Sequence, residues 1–325
     1  MSPTIVPTIA APASAQASRH YCLITPCRDE EKYARRTLDS IVNQTITPEL
    51  WVIVDDGSKD STPQILAEYA SRHPWIKVIR RADRGDRKLG GGVIEAFDEG
   101  YRSIDPDAFE YVCKIDLDLD LPVRYFEILM ERMEAEPRLA TCSGKPYMDL
   151  NGQLVSEKCG DENSVGMIKF YRTSAFKQIG GFVRELMWDG IDCHRCRLLG
   201  WMAVSWDDPD IRFIHLRPMG TSHKNWWTGR VRHGFGQYFM GTGPTYMLAS
   251  VFFRMTRPPV LMGGLAIGWG YLKSLVKRAP RYGDAEFRRF LRRYQRRCLT
   301  LGKTEATRRT NDEMKSRWNA PSRVG

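Results

Sequence analysis

Trp51-Val52-Ile53-Val54 runs into Asp55-Asp56-Gly57-Ser58, and Thr62-Pro63 then opens a segment carrying Ile65, Leu66 and Tyr69. A short, unbroken apolar run that stops at acidic and turn-forming residues reads as a strand buried on both faces. Proline is favoured in the first turn of a helix, so a helix starts at Thr62. The same unit recurs on either side. Upstream, Tyr21–Thr25 is an apolar run ended by Pro26, and Glu31–Gln44 follows with Ala34, Leu38, Ile41 and Val42 at helical spacing. Downstream, Trp75–Ile79 reads as a strand, and Gly90-Gly91-Gly92 leads into a helix through Val93, Phe97 and Tyr101. Tyr111–Ile115 is a fourth strand and Pro122–Glu134 a further helix. This alternation predicts an α/β fold, with a Rossmann-like, mostly parallel central sheet flanked by helices. Ligands of such sheets bind beyond the carboxyl ends of the strands. The two acidic clusters, at 55–56 and at 116–120, both lie there.

Composition divides the chain further. Residues 1–19 are rich in Ala, Pro, Ser and Thr and read as a disordered leader. Residues 20–220 hold the α/β domain, 221–280 a helical region and 281–325 a basic amphipathic tail. The net charge is +10, but 271–325 carries 16 Lys/Arg against 5 Asp/Glu, while 1–270 carries 33 against 34. The basicity belongs to the tail. A nucleic-acid binder needs a basic body with interleaved aromatics, so no nucleic-acid partner is expected. The eight cysteines have no disulfide-framework spacing, and no charged start followed by a long apolar run marks a signal peptide. A reducing, cytoplasmic setting follows.

Pro259–Leu272 is a run of 14 uncharged residues, short of the roughly 20 needed to span a bilayer. It reads as a re-entrant or interfacial segment; a buried core helix and a single span are the alternatives. In Glu286–Leu301, Phe287, Phe290, Leu291 and Tyr294 share one helical face, which suits an anionic membrane surface. Basic segments stay on the cytoplasmic side, so peripheral association with the inner face of the plasma membrane is expected.

Asp116-Leu117-Asp118 carries the clearest chemistry. Carboxylates two apart on an extended segment point the same way, and their hard oxygens suit Mn²⁺ or Mg²⁺. Such an ion would bridge a diphosphate and neutralise charge on a leaving nucleotide. Asp120 continues the alternation, so either pair is a candidate ligand set. Asp55 or Asp56 offers a carboxylate to a base N–H or a ribose hydroxyl. Arg87, Lys88 and the Gly90–Gly92 loop could cradle a diphosphate. Trp226, Trp227, Arg230 and Arg232 combine rings that stack on sugars with cations that pair with phosphate. Cys193 and Cys196 lack a second pair at finger spacing, so no zinc site is expected there.

Ile24-Thr25-Pro26-Cys27-Arg28-Asp29-Glu30-Glu31, Ser40-Ile41-Val42-Asn43-Gln44-Thr45 and Val52-Ile53-Val54-Asp55-Asp56-Gly57-Ser58-Lys59-Asp60-Ser61-Thr62 together resemble family 2 glycosyltransferases, whose nucleotide-binding fold is called GT-A. The resemblance covers roughly residues 20–216 and makes 20–220 a nucleotide-sugar-binding and catalytic domain. It implies that Thr25 and Asp56 contact the base, with Pro26, Arg28, Glu30, Asp55, Lys88, Gly90, Gly91 and Asp116 on the donor side. It implies Asp116 and Asp118 as the metal motif, completed by His215 or His223. It also implies inversion at the anomeric carbon, which needs a general base. In Trp188-Asp189-Gly190-Ile191-Asp192 the first choice is Asp189 and the alternative Asp192, although the family's usual Glu-Asp pair is Trp-Asp here. Trp188, Trp226, Trp227, Arg230 and Arg232 then face the acceptor. The expected reaction moves a sugar from a nucleotide-diphosphate donor to a lipid-linked or growing polysaccharide, as in exopolysaccharide or cell-envelope glycan synthesis. A sugar-phosphate nucleotidyltransferase uses similar parts, but its glycine-rich signature is missing from Thr25–Glu31.

Overall fold

The apolar runs pair as their order predicts. A computed structural model describes residues 19–83, 85, 91–217 and 226–320. Arg87, Lys88, Gly90, His223 and the leader through residue 18 lie outside the described residues. The chain runs β1 (Tyr21–Cys27), α1 (Ala34–Val42), β2 (Leu50–Asp55), α2 (Thr62–Arg72), β3 (Ile76–Arg80), α3 (Gly91–Arg102), β4 (Tyr111–Ile115), β5 (Leu119–Asp120), α4 (Tyr125–Ala135), β6 (Leu139–Ser143), β7 (Pro146–Leu150), β8 (Gln153–Ser156), β9 (Ile168–Arg172), α5 (Thr173–Gln178), α6 (Trp188–Leu198), β10 (Met202–Ser205), β11 (Phe213–His215), α7 (Trp226–Met240), α8 (Pro244–Met255), α9 (Met262–Val276), α10 (Ala285–Leu301) and α11 (Lys303–Glu313).

Seven strands form one sheet in the order β10-β6-β9-β4-β1-β2-β3. All neighbours in it are parallel except those of β9, which runs antiparallel to both β4 and β6. The pleat sends Tyr21 and Leu23 to one face of β1, and Cys22 and Ile24 to the other, into two separate apolar cores. A smaller sheet, β5-β11-β7-β8, stands beside the first. The chain passes between the two sheets at Asp116–Asp118. It leaves β4 at Ile115 and joins β11 through Leu119 and Asp120. The acidic triplet is therefore a crossing point, held by Asp116 N–H donating to the Met167 carbonyl (2.9 Å) and Leu216 N–H donating to the Asp118 carbonyl (2.9 Å).

Two expectations shift. The helix expected over Glu31–Gln44 is shorter, Ala34–Val42, because Asp29 adopts a positive φ of 55° and residues 31–33 form a turn. The tail is helical and amphipathic as expected, but its apolar face is already covered. Phe287 and Leu291 are buried with Ile191 and Leu198 of α6 and Met240 of α7. Arg138 donates to the Asn311 carbonyl (2.7 Å), and Trp318 packs edge-on against Trp201 at 5.8 Å. Much of the tail's charge is paired internally, as in Arg293 and Arg297 with Glu313. Among the described residues no helix is long and apolar enough to cross a membrane.

Candidate active site

A cavity of about 980 Å³ opens at the carboxyl ends of β1, β2 and β4. Pro26, Arg28 and Glu30 line it after β1, Asp56 after β2, and Lys114, Asp116 and Asp118 at the end of β4. Trp188 and Asp189 enter from α6, and His215 and Arg217 from β11 and beyond. Carboxylates distant along the chain thus share one space because parallel strands end on the same side.

Ion pairs hold the residues after β1 and β2 in place. Arg28 donates to the Asp56 carbonyl (3.1 Å) and to Asp83 (2.8 Å), and Arg81 donates to the Asp56 carboxylate (2.8 Å). Glu30 pairs with Arg217. The turn after β2 needs Gly57, whose φ is +78° and whose added Cβ would lie 2.6 Å from Asp83 Cα. Three donor residues expected from sequence do not line the cavity. Thr25 lies on the face of β1 shared with Leu23, fully buried, and its hydroxyl accepts from Trp51 Nε1 (2.8 Å). Asp55 is fully buried as a turn residue, its Oδ1 accepting from Ser58 N–H (2.8 Å). Gly91 opens α3 against the Arg184 carbonyl, and its neighbour Gly92 lines the cavity instead.

Asp118 is buried at the cavity. It is 8% exposed, and its Oδ1 is buried without a hydrogen-bond partner. Its Oδ2 lies 3.2 Å from Arg217 Nε and 3.8 Å from His215 Nε2. Burial pushes its pKa up, but His215 and then Arg217 outweigh this, so the carboxylate stays below its usual range. His215 Nδ1 lies 2.8 Å from Glu157 Oε2. Burial alone would lower the pKa of His215; Asp118 and Glu157 raise it to about 9. Asp116 accepts from Lys114 (2.5 Å), which also donates to the Gly166 carbonyl (2.9 Å). Asp120 turns outward to Arg36 (2.8 Å), which leaves Asp116 and Asp118 as the pair at the cavity.

This donor set fits Mn²⁺ or Mg²⁺. An orphaned buried carboxylate oxygen is a natural ligand, and a carboxylate on one imidazole nitrogen leaves the other for a metal. Among the described residues, no three His, Cys, Asp or Glu side chains form a ready-made cluster. A cation here would complete its shell with phosphate oxygens and water, as small hard cations do.

Asp189 sits in the first turn of α6, after Met187 in the left-handed region (φ 66°). Its carboxylate lies over Gly166, where an added Cβ would fall 2.9 Å from Asp189 Oδ2. Beside it, Lys114 and Lys169 approach the Trp188 ring to 5.3 and 5.7 Å from its centre. Asp192, the alternative base, is buried behind the cavity wall. Its Oδ2 accepts from Lys169 (2.6 Å) and Tyr171 (2.5 Å), and its Oδ1 from Cys193 N–H (2.6 Å). Burial works against the charge on Lys169, and the Asp192 carboxylate more than restores it.

Of the residues expected to face an acceptor, only Trp188 lines the cavity. Trp226 and Trp227 pack edge-to-face at 5.8 Å at the start of α7, and neither they nor Arg230 and Arg232 line the cavity. Phe253, Arg254 and Arg257 of the α8 end do, as does Lys303 of α11, bound to Glu162 (2.6 Å). Sequence reasoning missed all four, because only tertiary folding brings them here. Cys193 and Cys196 are buried free thiols.

Residues 22–181 match the family Glycosyl transferase family 2. A poly-beta-1,6-N-acetyl-D-glucosamine synthase of Staphylococcus epidermidis is 22% identical over 199 residues, 55% of this chain and 43% of that protein. The chain therefore spans less than half the length of this curated relative. The crystal structure of S. aureus TarS 1-349 in complex with UDP-GlcNAc superposes with a TM-score of 0.55 at 15% identity, covering 93% of each chain. The mannosyltransferase PcManGT of Pyrobaculum calidifontis, in complex with GDP-Man and Mn²⁺, superposes with a TM-score of 0.51 at 16% identity, covering 96% of this chain and 90% of that one. At such identities the likeness is one of fold: a GT-A sheet flanked by helices, with further helices at the C-terminus. The strand-end acids, the mostly parallel sheet and the match over 22–181 lead to one statement: the chain carries a glycosyltransferase domain of family 2.

Proposed function

We propose that this chain transfers a sugar, with inversion, from a metal-bound nucleoside-diphosphate donor to a hydroxyl of a lipid-linked or growing polysaccharide acceptor. One observation carries the reading: Asp56, Asp116, Asp118 and Asp189 line a single cavity despite their separation in sequence. Asp56, fixed by Arg28 and Arg81, is the nucleotide contact. Asp118, Asp116 and His215 would hold Mn²⁺ or Mg²⁺, which when bound offsets charge on the diphosphate. Lys114 and Arg217 add fixed positive charge on the same side. Asp189 accepts the proton of the acceptor hydroxyl as its oxygen bonds to the anomeric carbon. The bond from that carbon to the diphosphate breaks on the opposite face, and the nucleoside diphosphate leaves with the electron pair. A base so placed contributes about 10²–10⁴-fold. The same reading seats the chain peripherally on the inner face of the plasma membrane, where cytoplasmic nucleotide sugars would meet lipid-linked acceptors.

Thermal unfolding against UDP-, GDP- and TDP-sugars, with and without Mn²⁺, tests the reading. A donor at 100 times its Kd stabilises by about 2.7 kcal/mol. The expected result is a metal-dependent rise with one nucleotide class; no rise with any of them would overturn the proposal.

A further inference from the structure

The α8–α9 hairpin is built inside out. On α9, Gly263, Gly264, Ala266, Gly270 and Ser274 are buried, whereas Leu265, Trp269, Leu272 and Val276 are exposed. The small residues let backbones touch: an added Cβ at Gly270 would lie 2.0 Å from the Val231 carbonyl oxygen, and one at Gly264 2.5 Å from that of Val251. This packing mode suits helices that meet lipid on their other side. On α8 only Met247 is buried, and Leu248, Phe252 and Phe253 are exposed. Trp269 keeps 54% of its surface and Phe252 60%. Contiguous large apolar side chains of this kind mark an interaction surface.

Cations border this face at the cavity. Among the described residues, Arg230, Arg254 and Arg257 have no carboxylate partner. Arg257 stacks on Phe253 at 4.4 Å. Arg254 is exposed as a residue, yet its pKa is pushed down, first by the protein packed around its charge and then by Arg230 and Arg257. Like charges held together without a counter-charge favour an anion. Phe253, Arg254 and Arg257 also line the cavity that contains Asp189. Positive charge at the cavity and hydrocarbon-like surface beyond it complement one ligand chemistry, a phosphate ester with a long apolar chain.

We propose that the α8–α9 hairpin is the acceptor-side subsite: Arg254 and Arg257 take the phosphate of a long-chain alcohol phosphate in a membrane leaflet, and Leu248, Phe252, Leu265 and Trp269 lie in the hydrocarbon around it. The acceptor role rests on the transferase reading; the docking surface does not. It also moves the membrane contact from the tail, whose apolar face is covered, to this hairpin.

The test is flotation of the full chain with vesicles of phosphatidylcholine alone, of phosphatidylcholine with phosphatidylglycerol, and of phosphatidylcholine doped with hexadecyl phosphate. Hexadecyl phosphate vesicles are expected to bind best, and butyl phosphate in solution not to displace the chain. Arg254→Gln with Arg257→Gln should weaken partition about thirty-fold, at roughly five-fold per cation. Leu265→Asp with Trp269→Asp should weaken it by about tenfold or more. Circular dichroism confirms that each variant folds. Should the Asp pair fail to fold, Trp269→Phe serves instead, retaining binding but losing fluorescence quenching by bromolipid. Equal binding to all three vesicles, no binding to any, or binding indifferent to both variant pairs would overturn the proposal. So would a stable dimer that the Leu265/Trp269 variant dissociates, since a second copy would then cover the face. Vesicle binding without nucleotide-dependent stabilisation would remove the transferase reading and leave the docking surface standing.

Discussion

Replacing Asp192 by Ala removes the counter-charge of a lysine that has no access to water. Lys169 is fully buried and Asp192 is 1% exposed, with 2.6 Å between Nζ and Oδ2. In the variant, Lys169 keeps the Asp189 carbonyl (2.8 Å), Cys193 Sγ (3.2 Å) and Ser164 Oγ (3.3 Å) as acceptors. Tyr171 also loses the acceptor of its hydroxyl. Breaking a buried pair from one side costs about 3–5 kcal/mol, a large part of the roughly 5–15 kcal/mol by which domains are stable. Urea unfolding followed by tryptophan fluorescence should show a lower midpoint at unchanged slope. Combining Asp192→Leu with Lys169→Met should recover much of the loss, because well-packed apolar replacements of buried pairs are often neutral. If Asp192→Ala stays within about 0.5 kcal/mol of the parent and abolishes turnover, Asp192 is the base and its structural role fails.

Asp189→Asn should lower kcat by about 10²–10⁴-fold while the nucleotide-dependent thermal shift persists; loss of that shift would place Asp189 on the donor instead. Gly166→Ala should push the Asp189 carboxylate aside, since the new Cβ would sit 2.9 Å from its Oδ2. Turnover should fall by about 100-fold in a folded enzyme, and full activity would show that the carboxylate has no fixed place. Gly200→Ala forces a side chain at φ +86° to within 2.5 Å of Trp318 N. It should cost at least about 1–2 kcal/mol in urea unfolding, and an unchanged midpoint would mean that the tail is not docked there.

Much of the architecture is legible because alternation and strand-end chemistry are local. The runs at 21–25, 51–54 and 111–115 stop where their carboxylates or prolines stop them, and parallel pairing then gathers the ends. The pleat is less visible. Thr25 lies in a matching motif, yet its position on β1 sends its hydroxyl to Trp51 rather than to the cavity. Asp189 and Asp192 share a helix, and what separates them is Lys169 on β9, 23 residues away. The apolar character of Pro259–Leu272 is plain in the sequence, but which side faces out is not. The stripe of Gly263, Gly264, Gly270 and Ser274 is the one local signal, since small residues mark the buried side. Arg254, Arg257 and Lys303 carry no local signal, because packing of α8 and α11 against the domain brings them to the cavity.

On the proposed function, Asp56, Asp116, Asp118 and Asp189 surround one cation and nucleotide. Anomalous scattering from crystals soaked with Mn²⁺ and a nucleoside diphosphate measures it directly. One manganese peak is expected within ligand distance of Asp118 and the diphosphate, with the base beside Asp56 and the Asp189 carboxylate facing the sugar position. A nucleotide bound outside the cavity, or a peak elsewhere with Asp118 unliganded, would contradict it.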